Sequence, residues 1–273
     1  LTTQGNPGSD ANRISSANAF AASVLYKFKF NNLTLTPGLR YENIELARDN
    51  FGTSDPSRTG ANLASRENKV AIFIPGMGFN YKLSNVTSIF GGIHKGFSPP
   101  GNESEQESEE SINYELGSRF NINGLRGEVI GFYNDYSNLL GSDLAASGGT
   151  GSLEQFNAGE VQVKGIELLL NYDLLKNNAS YALPISFGYT FTDTAFLNSF
   201  GSDDGLWGEV NKGDELPYIA KHQFNTSITL EHASYEFSIG GRLNGAFKTI
   251  ASADSVNEDN GIQSNFIIDF FFF

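Results

Sequence analysis

The strongest constraint on this chain is its period-two alternation. Ile112, Tyr114, Leu116 and Phe120 alternate with Asn113, Glu115, Arg119 and Asn121, and the run stops at Asn123-Gly124, a hairpin dipeptide. Period two places one set on each side of a sheet. The pattern recurs. Phe20, Ala22, Val24, Tyr26, Phe28 and Phe30 oppose Ser23, Lys27 and Lys29, and Leu33, Leu35, Leu39 and Tyr41 oppose Thr34, Thr36, Arg40 and Glu42. Phe224, Ile228 and Leu230 oppose Gln223, Asn225 and Ser227, and Tyr235, Phe237, Ile239 and Leu243 oppose Glu236, Ser238, Arg242 and Asn244.

Extended over the chain, the pattern predicts eleven strands, at 18–30, 33–46, 69–82, 86–97, 110–121, 125–138, 158–173, 184–197, 219–231, 234–248 and 262–273. Connections alternate in length. Short ones fall at 31–32, 84–85, 122–124, 174–183 and 232–233, and long ones at 47–68, 98–109, 139–157, 198–218 and 249–261. The strands beginning near Gly124 and Ala158 alternate less cleanly.

Two architectures use long amphipathic strands. A sandwich packs two apolar faces together, and a membrane barrel turns one to lipid and encloses the other. Strands of soluble proteins average ~5–6 residues, whereas a tilted membrane strand needs ~9–11. The predicted strands match the second length, and the short-turn, long-loop rhythm matches outer-membrane barrels. The expected fold is therefore all-β, an antiparallel transmembrane β-barrel, with residues 1–273 forming one partial barrel domain.

Composition narrows the partners. Of 273 residues, 31 are Asp or Glu against 18 Lys or Arg, and the net charge of −13 argues against nucleic acid, which requires a basic face. The absence of cysteine excludes disulfides and thiolate metal sites. The long loops, taken as 47–68, 98–110, 140–157, 198–217 and 249–261, hold 18 acidic and 4 basic residues. Acidity thus gathers at one end of the barrel.

Candidate sites are few. The run 103–110 carries five carboxylates, which suit a Ca²⁺ loop or a solvated loop; the second reading is favoured because no calcium-loop spacing is present. His94, His222 and His232 lack metal-ligand spacing, and the SGGTGS run at 147–152 lacks the Gly-Lys-Ser/Thr ending of a phosphate loop. No nucleophile arrangement is legible, so neither catalysis nor a cofactor is expected. By parity Arg40, Lys221, Arg242 and Lys248 point inward. Lys221 and Lys248, near the long-loop rim, are candidates to meet an anionic ligand; the alternative pairs these cations with Glu42, Glu231 or Glu236. Trp207 lies in an acidic long loop, as a ligand platform or a loop anchor.

Several stretches resemble the barrel of TonB-dependent receptors: LTPGLRYENIEL (35–46), HKGFSPPGNE (94–103), ESINYELGSR (110–119), YNDYSNL (133–139), VKGIELLLNY (163–172) and ELPYIAKHQFN (215–225). GIHKGFSPP is most similar to the ferric-citrate receptor branch. The resemblance implies a barrel of about 22 strands filled by a plug. It also implies uptake of a metal chelate such as a ferric siderophore or ferric citrate, driven by a TonB-type periplasmic coupling protein acting on that plug. The location would be the Gram-negative outer membrane, among lipid and lipopolysaccharide. The resemblance further implies a plug and about eight strands before this segment and about three strands after it. The competing readings are a passive pore or adhesin, and an outer-membrane enzyme.

Overall fold

The computed structural model describes residues 12–101, 106–142, 155–157, 159–201 and 209–273. Eleven long strands form one antiparallel sheet in chain order: β1 (Arg13–Leu25), β2 (Leu33–Asn50), β3 (Ala64–Lys82), β4 (Thr87–Ser98), β5 (Glu109–Ile122), β6 (Leu125–Ser137), β7 (Val161–Asp173), β8 (Pro184–Phe196), β9 (His222–His232), β10 (Tyr235–Asn244) and β11 (Asn265–Phe272). Each pairs with its sequence neighbours, as the hairpin rhythm predicts. Among the described residues the sheet does not close, since β1 and β11 each pair on one side only.

Boundaries differ at several strands, and β1 begins at Arg13 and β9 at His222 rather than at 18 and 219. The strand expected at 18–30 is interrupted at Tyr26-Lys27, and Phe28–Phe30 then continues along β2. The strands β2 and β3 run on past the expected loop boundaries to Asn50 and from Ala64. The strand expected at 234–248 stops at Asn244, and Phe247–Lys248 pairs instead with Gly261–Ile262 in a separate ribbon.

Register decides which residues share a face, because directly opposed residues point the same way. Leu35 faces Phe79, Tyr41 faces Phe73, Met77 faces Ile93, Ile93 faces Tyr114, and Tyr114 faces Tyr133. This apolar face is open. Phe73 and Leu116 are each 60% exposed and Phe270 65%, with Leu39, Met77, Ile166 and Ile228 in the same condition. A contiguous apolar surface across a whole sheet marks contact with an apolar medium. In β2 the band runs from Leu33 to Tyr41, about the ~9–11 residues needed to cross lipid, and then gives way to Asn43 and Glu45.

A row of ion pairs continues the same face just beyond the band: Lys69 with Glu45 at 2.9 Å, Lys95 with Glu110 at 2.6 Å, and Lys164 with Asp193 at 3.5 Å. Aromatic clusters mark both margins. His222 lies beside Phe191 and hydrogen-bonds Tyr189 at 2.9 Å at the long-loop end, and His232 lies between Tyr181 and Tyr235 at the short-turn end. Amphipathic rings of this kind suit an interface with one dry and one wet side.

Glycine and phenylalanine meet across strands. Phe79 opposes Gly91, Phe90 opposes Gly117, Phe120 opposes Gly127, and Phe132 opposes Gly165. At Gly117 a Cβ would lie 2.6 Å from the Phe90 ring and 2.8 Å from the Val129 carbonyl. The ring covers the gap that the glycine leaves, which also explains aromatic residues on the otherwise polar inner face. The Asn123-Gly124 turn has both residues at positive φ (50° and 88°), as its tight geometry requires, and Lys176 donates to the Asn123 carbonyl.

Candidate functional site

The inner face is polar along its length. Arg40 with Glu42, Asn113, Glu115, Arg119 with Glu128, and Thr190 with Gln223 lie on it by register. Apolar side chains interrupt it on β2 and β3, where Ile44 and Ile72 are each 7% exposed, and at the long-loop end. Val161 and Phe196, opposed on this face at the long-loop end, are both fully buried together with Val210, and Phe200, Leu216 and Ala251 pack around them. The cover is a strap from the loop following β8. The strap is held by Gly213 N–H on the Phe196 carbonyl, Phe196 N–H on the Asp214 carbonyl, and Leu216 N–H on Thr194 Oγ1 at 3.0 Å. The uneven alternation of β7 thus has a cause: Val161 and Val163 face inward but lie under this strap.

The strap carries Glu215 to the rim. Its carboxylate accepts from Lys221 at 2.8 Å and from Lys248 at 3.2 Å, and Lys221 also reaches Asp193 at 3.7 Å. Lys248 is 3% exposed and donates to the Ser252 carbonyl at 2.6 Å. A β-bridge joins Glu215 to Ser252, and Tyr218 N–H donates to the Lys248 carbonyl. Donating to Glu215 is the main reason that the Lys221 ammonium is held above its ordinary pKa of 10.5, so it stays charged. A cavity of about 180 Å³ opens beside this network, lined by Glu215, Lys221, Lys248 and Asp254.

The four predicted cations therefore have distinct settings. Arg40 pairs with Glu42 at 2.6 Å and Arg242 with Asp269 at 3.8 Å, both on the inner face. Lys221 lies one residue before β9 and Lys248 lies in the side ribbon, so sheet parity fixes the direction of neither. Glu215 brings these two together, and Arg40 and Arg242 stand apart from them. Among the described residues neither Glu231 nor Glu236 forms an ion pair with these cations. Sequence reasoning missed Glu215 and Asp193 because their contacts depend on how loops fold back over strand ends. The one available signal was the ELPYIAKH segment, which puts Glu215 and Lys221 in one short stretch.

Among the described residues no cluster of three metal-ligating side chains occurs. His94 faces inward opposite Asn113, whereas His222 faces lipid opposite Phe191, so the two do not converge. Trp207, the 147–152 run and residues 103–105 of the acidic stretch lie outside the described residues.

A second ordered loop lies between β2 and β3. The Asp55 carboxylate accepts from Thr59 N–H at 3.0 Å, Thr59 Oγ1 at 3.1 Å and Gly60 N–H at 2.9 Å. Asn12, 1% exposed, donates to the Gly52 and Asp55 carbonyls and accepts from Arg58. Donation by Thr59 N–H is the main reason that the Asp55 pKa falls below its ordinary 3.8.

The geometry agrees with the comparisons. Residues 1–270 match the family model described as TonB dependent receptor-like, beta-barrel. The chain superposes on the siderophore receptor PiuA from Acinetobacter baumannii with a TM-score of 0.70 at 17% identity, covering 94% of this chain and 37% of that one. It superposes on the unliganded ferric citrate transporter FecA with a TM-score of 0.71 at 18% identity, covering 95% and 38%. For the ferric yersiniabactin uptake receptor FyuA from Yersinia pestis the values are 0.67, 15%, 95% and 38%. The chain thus spans less than two fifths of these proteins. It belongs to the TonB-dependent receptors, as a stretch of the β-barrel that crosses the outer membrane of Gram-negative bacteria.

Proposed function

We propose that this chain is wall and rim of a receptor for energised uptake of a metal chelate, a ferric siderophore or ferric citrate, and that it performs no chemical step. The carrying observation is a polar inner wall closed at the long-loop end by a strap cross-linked through Glu215, Lys221 and Lys248. Such a rim holds ligand-facing groups at fixed positions while the sheet behind it stays in lipid. The chelates named for FecA and FyuA support the solute class. In this reading Lys221, with its side chain 42% exposed, is the rim cation that meets an anionic chelate, and Lys248 holds Glu215. Arg242 and Arg40 supply charge deeper on the inner wall.

Partners follow from the two faces. The open apolar face contacts acyl chains. The ammonium groups of Lys69, Lys95 and Lys164, just beyond the band, face headgroup phosphates of lipopolysaccharide. Energy reaches the receptor from a TonB-type coupling protein through a plug. The test is uptake of radioiron citrate and siderophores by cells expressing the full-length protein, with and without a working coupling protein. Uptake that needs the coupling protein supports the reading. Uptake that is indifferent to it favours a passive pore, and no uptake of any ferric chelate overturns the solute class.

A further inference from the structure

Asparagine followed by glycine is the dipeptide in which a side-chain amide is most open to attack by its own backbone, because glycine carries no side chain to shield its nitrogen. The chain has three: Asn123-Gly124, Asn244-Gly245 and Asn260-Gly261. Their settings differ. Gly245 N–H donates to the His222 carbonyl at 2.7 Å, and Asn244 ends β10 between Gln223 and Asn265, with its side-chain amide donating to Asn265. Gly261 N–H donates to the Asn257 carbonyl at 3.1 Å. The Asn260 side chain, 6% exposed, donates to the Ser255 carbonyl and accepts from Asn257 N–H at 2.8 Å. Asn123 and Gly124, by contrast, are both exposed at the tip of the β5–β6 hairpin. Among the described residues neither the Asn123 side-chain amide nor the Gly124 N–H has a hydrogen-bond partner. One contact holds this turn from outside. Lys176, in the turn between β7 and β8, donates to the Asn123 carbonyl, and its Nζ lies 3.3 Å from where a Gly124 Cβ would stand.

We propose that Asn123 is a site of spontaneous deamidation and that Lys176 is the clamp that slows it. The Gly124 nitrogen gives its proton to water and attacks Asn123 Cγ. An N–Cγ bond forms, the Cγ–Nδ2 bond breaks and ammonia leaves, which closes a succinimide ring. Water then opens the ring at either carbonyl carbon and yields aspartate or isoaspartate. Ring closure needs the Gly124 nitrogen on the same side as the Asn123 Cβ. The φ values of 50° and 88° match a type I′ turn, whose first central residue has ψ near ~+30°, and there the nitrogen lies on the far side. Asn123 must therefore rotate about its Cα–C bond before it can react. That rotation swings its carbonyl away from Lys176, so the Lys176 bond opposes it. At Asn244 and Asn260 the same rotation must also break the bonds of Gly245 to His222 and of Gly261 to Asn257. Either product adds a carboxylate beside Lys176. Isoaspartate also adds a backbone carbon to the turn that sets the Ile122–Leu125 register. The site is separate from the rim and independent of which solute is imported.

Purified full-length receptor, kept folded in detergent at mildly alkaline pH and sampled over days, tests this. Mass spectrometry of peptides covering the three dipeptides reads the amide-to-acid mass gain and the isoaspartate. Asn123 should convert several-fold faster than Asn244 or Asn260, and the three should draw level when the receptor is unfolded in urea. Lys176→Gln should speed conversion at Asn123 several-fold and leave the other two unchanged, with folding confirmed by heat-modifiable migration on gels. Conversion at Asn244 or Asn260 that matches Asn123 in the folded receptor overturns the proposal, as does an Asn123 that stays intact throughout. A lead for Asn123 that persists in urea also overturns it, since the fold is then not the cause. A rate at Asn123 in the Lys176→Gln variant equal to or below the parent's overturns the clamp.

Discussion

Lys248, almost wholly buried, points its ammonium at Glu215 at 3.2 Å and so ties the side ribbon after β10 to the strap after β8. The pair is part of a three-residue network because Glu215 also holds Lys221. Removing one partner of a buried pair leaves the other charge uncompensated, at a cost of about 3 kcal/mol. Glu215→Ala should therefore loosen the rim without unfolding the sheet. Hydrogen exchange at Leu216, Tyr218 and Thr249 should speed up, while exchange in β5 and β6 stays unchanged. Adding Lys248→Met should recover part of the protection, because the stranded charge is then gone.

The glycine-phenylalanine pairs predict a packing limit. Gly117→Val would bring side-chain carbon against the Phe90 ring and the Val129 carbonyl. Overpacking of this kind costs about 1–3 kcal/mol. The full-length receptor carrying it should lose its folded gel migration at lower temperature or urea concentration than the parent. Phe90→Ala in the same protein should recover only part of the loss, since the carbonyl is backbone and cannot leave.

Loop 52–60 should respond to acid. The carboxyl of Asp55 has a folded-state pKa depressed below 3.8 by its hydrogen-bond donors, Thr59 first. Its stabilising effect is therefore complete above 3.8 and is lost as pH falls through the lower folded value. Protease access to this loop should stay constant from neutral pH down to about 4 and rise below it. Asp55→Ala should show the raised access at neutral pH.

Topology can be read by labelling. Ser57→Cys, in the loop between β2 and β3, should react on intact cells with a membrane-impermeant thiol reagent. Ala233→Cys, in the turn between β9 and β10, should react only after the outer membrane is opened. The reverse result would place the long loops in the periplasm.

Much of this arrangement is local and was legible in the sequence. Asn123-Gly124 announces its turn because few dipeptides accept two positive φ values in succession. Ile112 through Phe120 announce their face because side chains of a strand alternate whatever lies beside them. Tyr26-Lys27 and Gly245-Ala246 were not legible as breaks, because period two continues through them and only the partner strand shows where pairing stops.

The sequence by itself determined the number of strands, their order, the open apolar face and the end that carries the acidic loops. These follow from side-chain alternation and turn chemistry, which act over a few residues. Arg40 with Glu42, two residues apart on one strand, was legible, but the tertiary structure alone decided which distant charges meet. Glu215 reaches Lys248, and Arg242 reaches Asp269, across chain intervals that no local preference spans. It also decided that Val161 and Phe196 are buried on an inner face where alternation calls for polar residues. The reason is physical: a loop gains by covering apolar side chains wherever its backbone hydrogen bonds can close over them, and that depends on where strand ends lie in space.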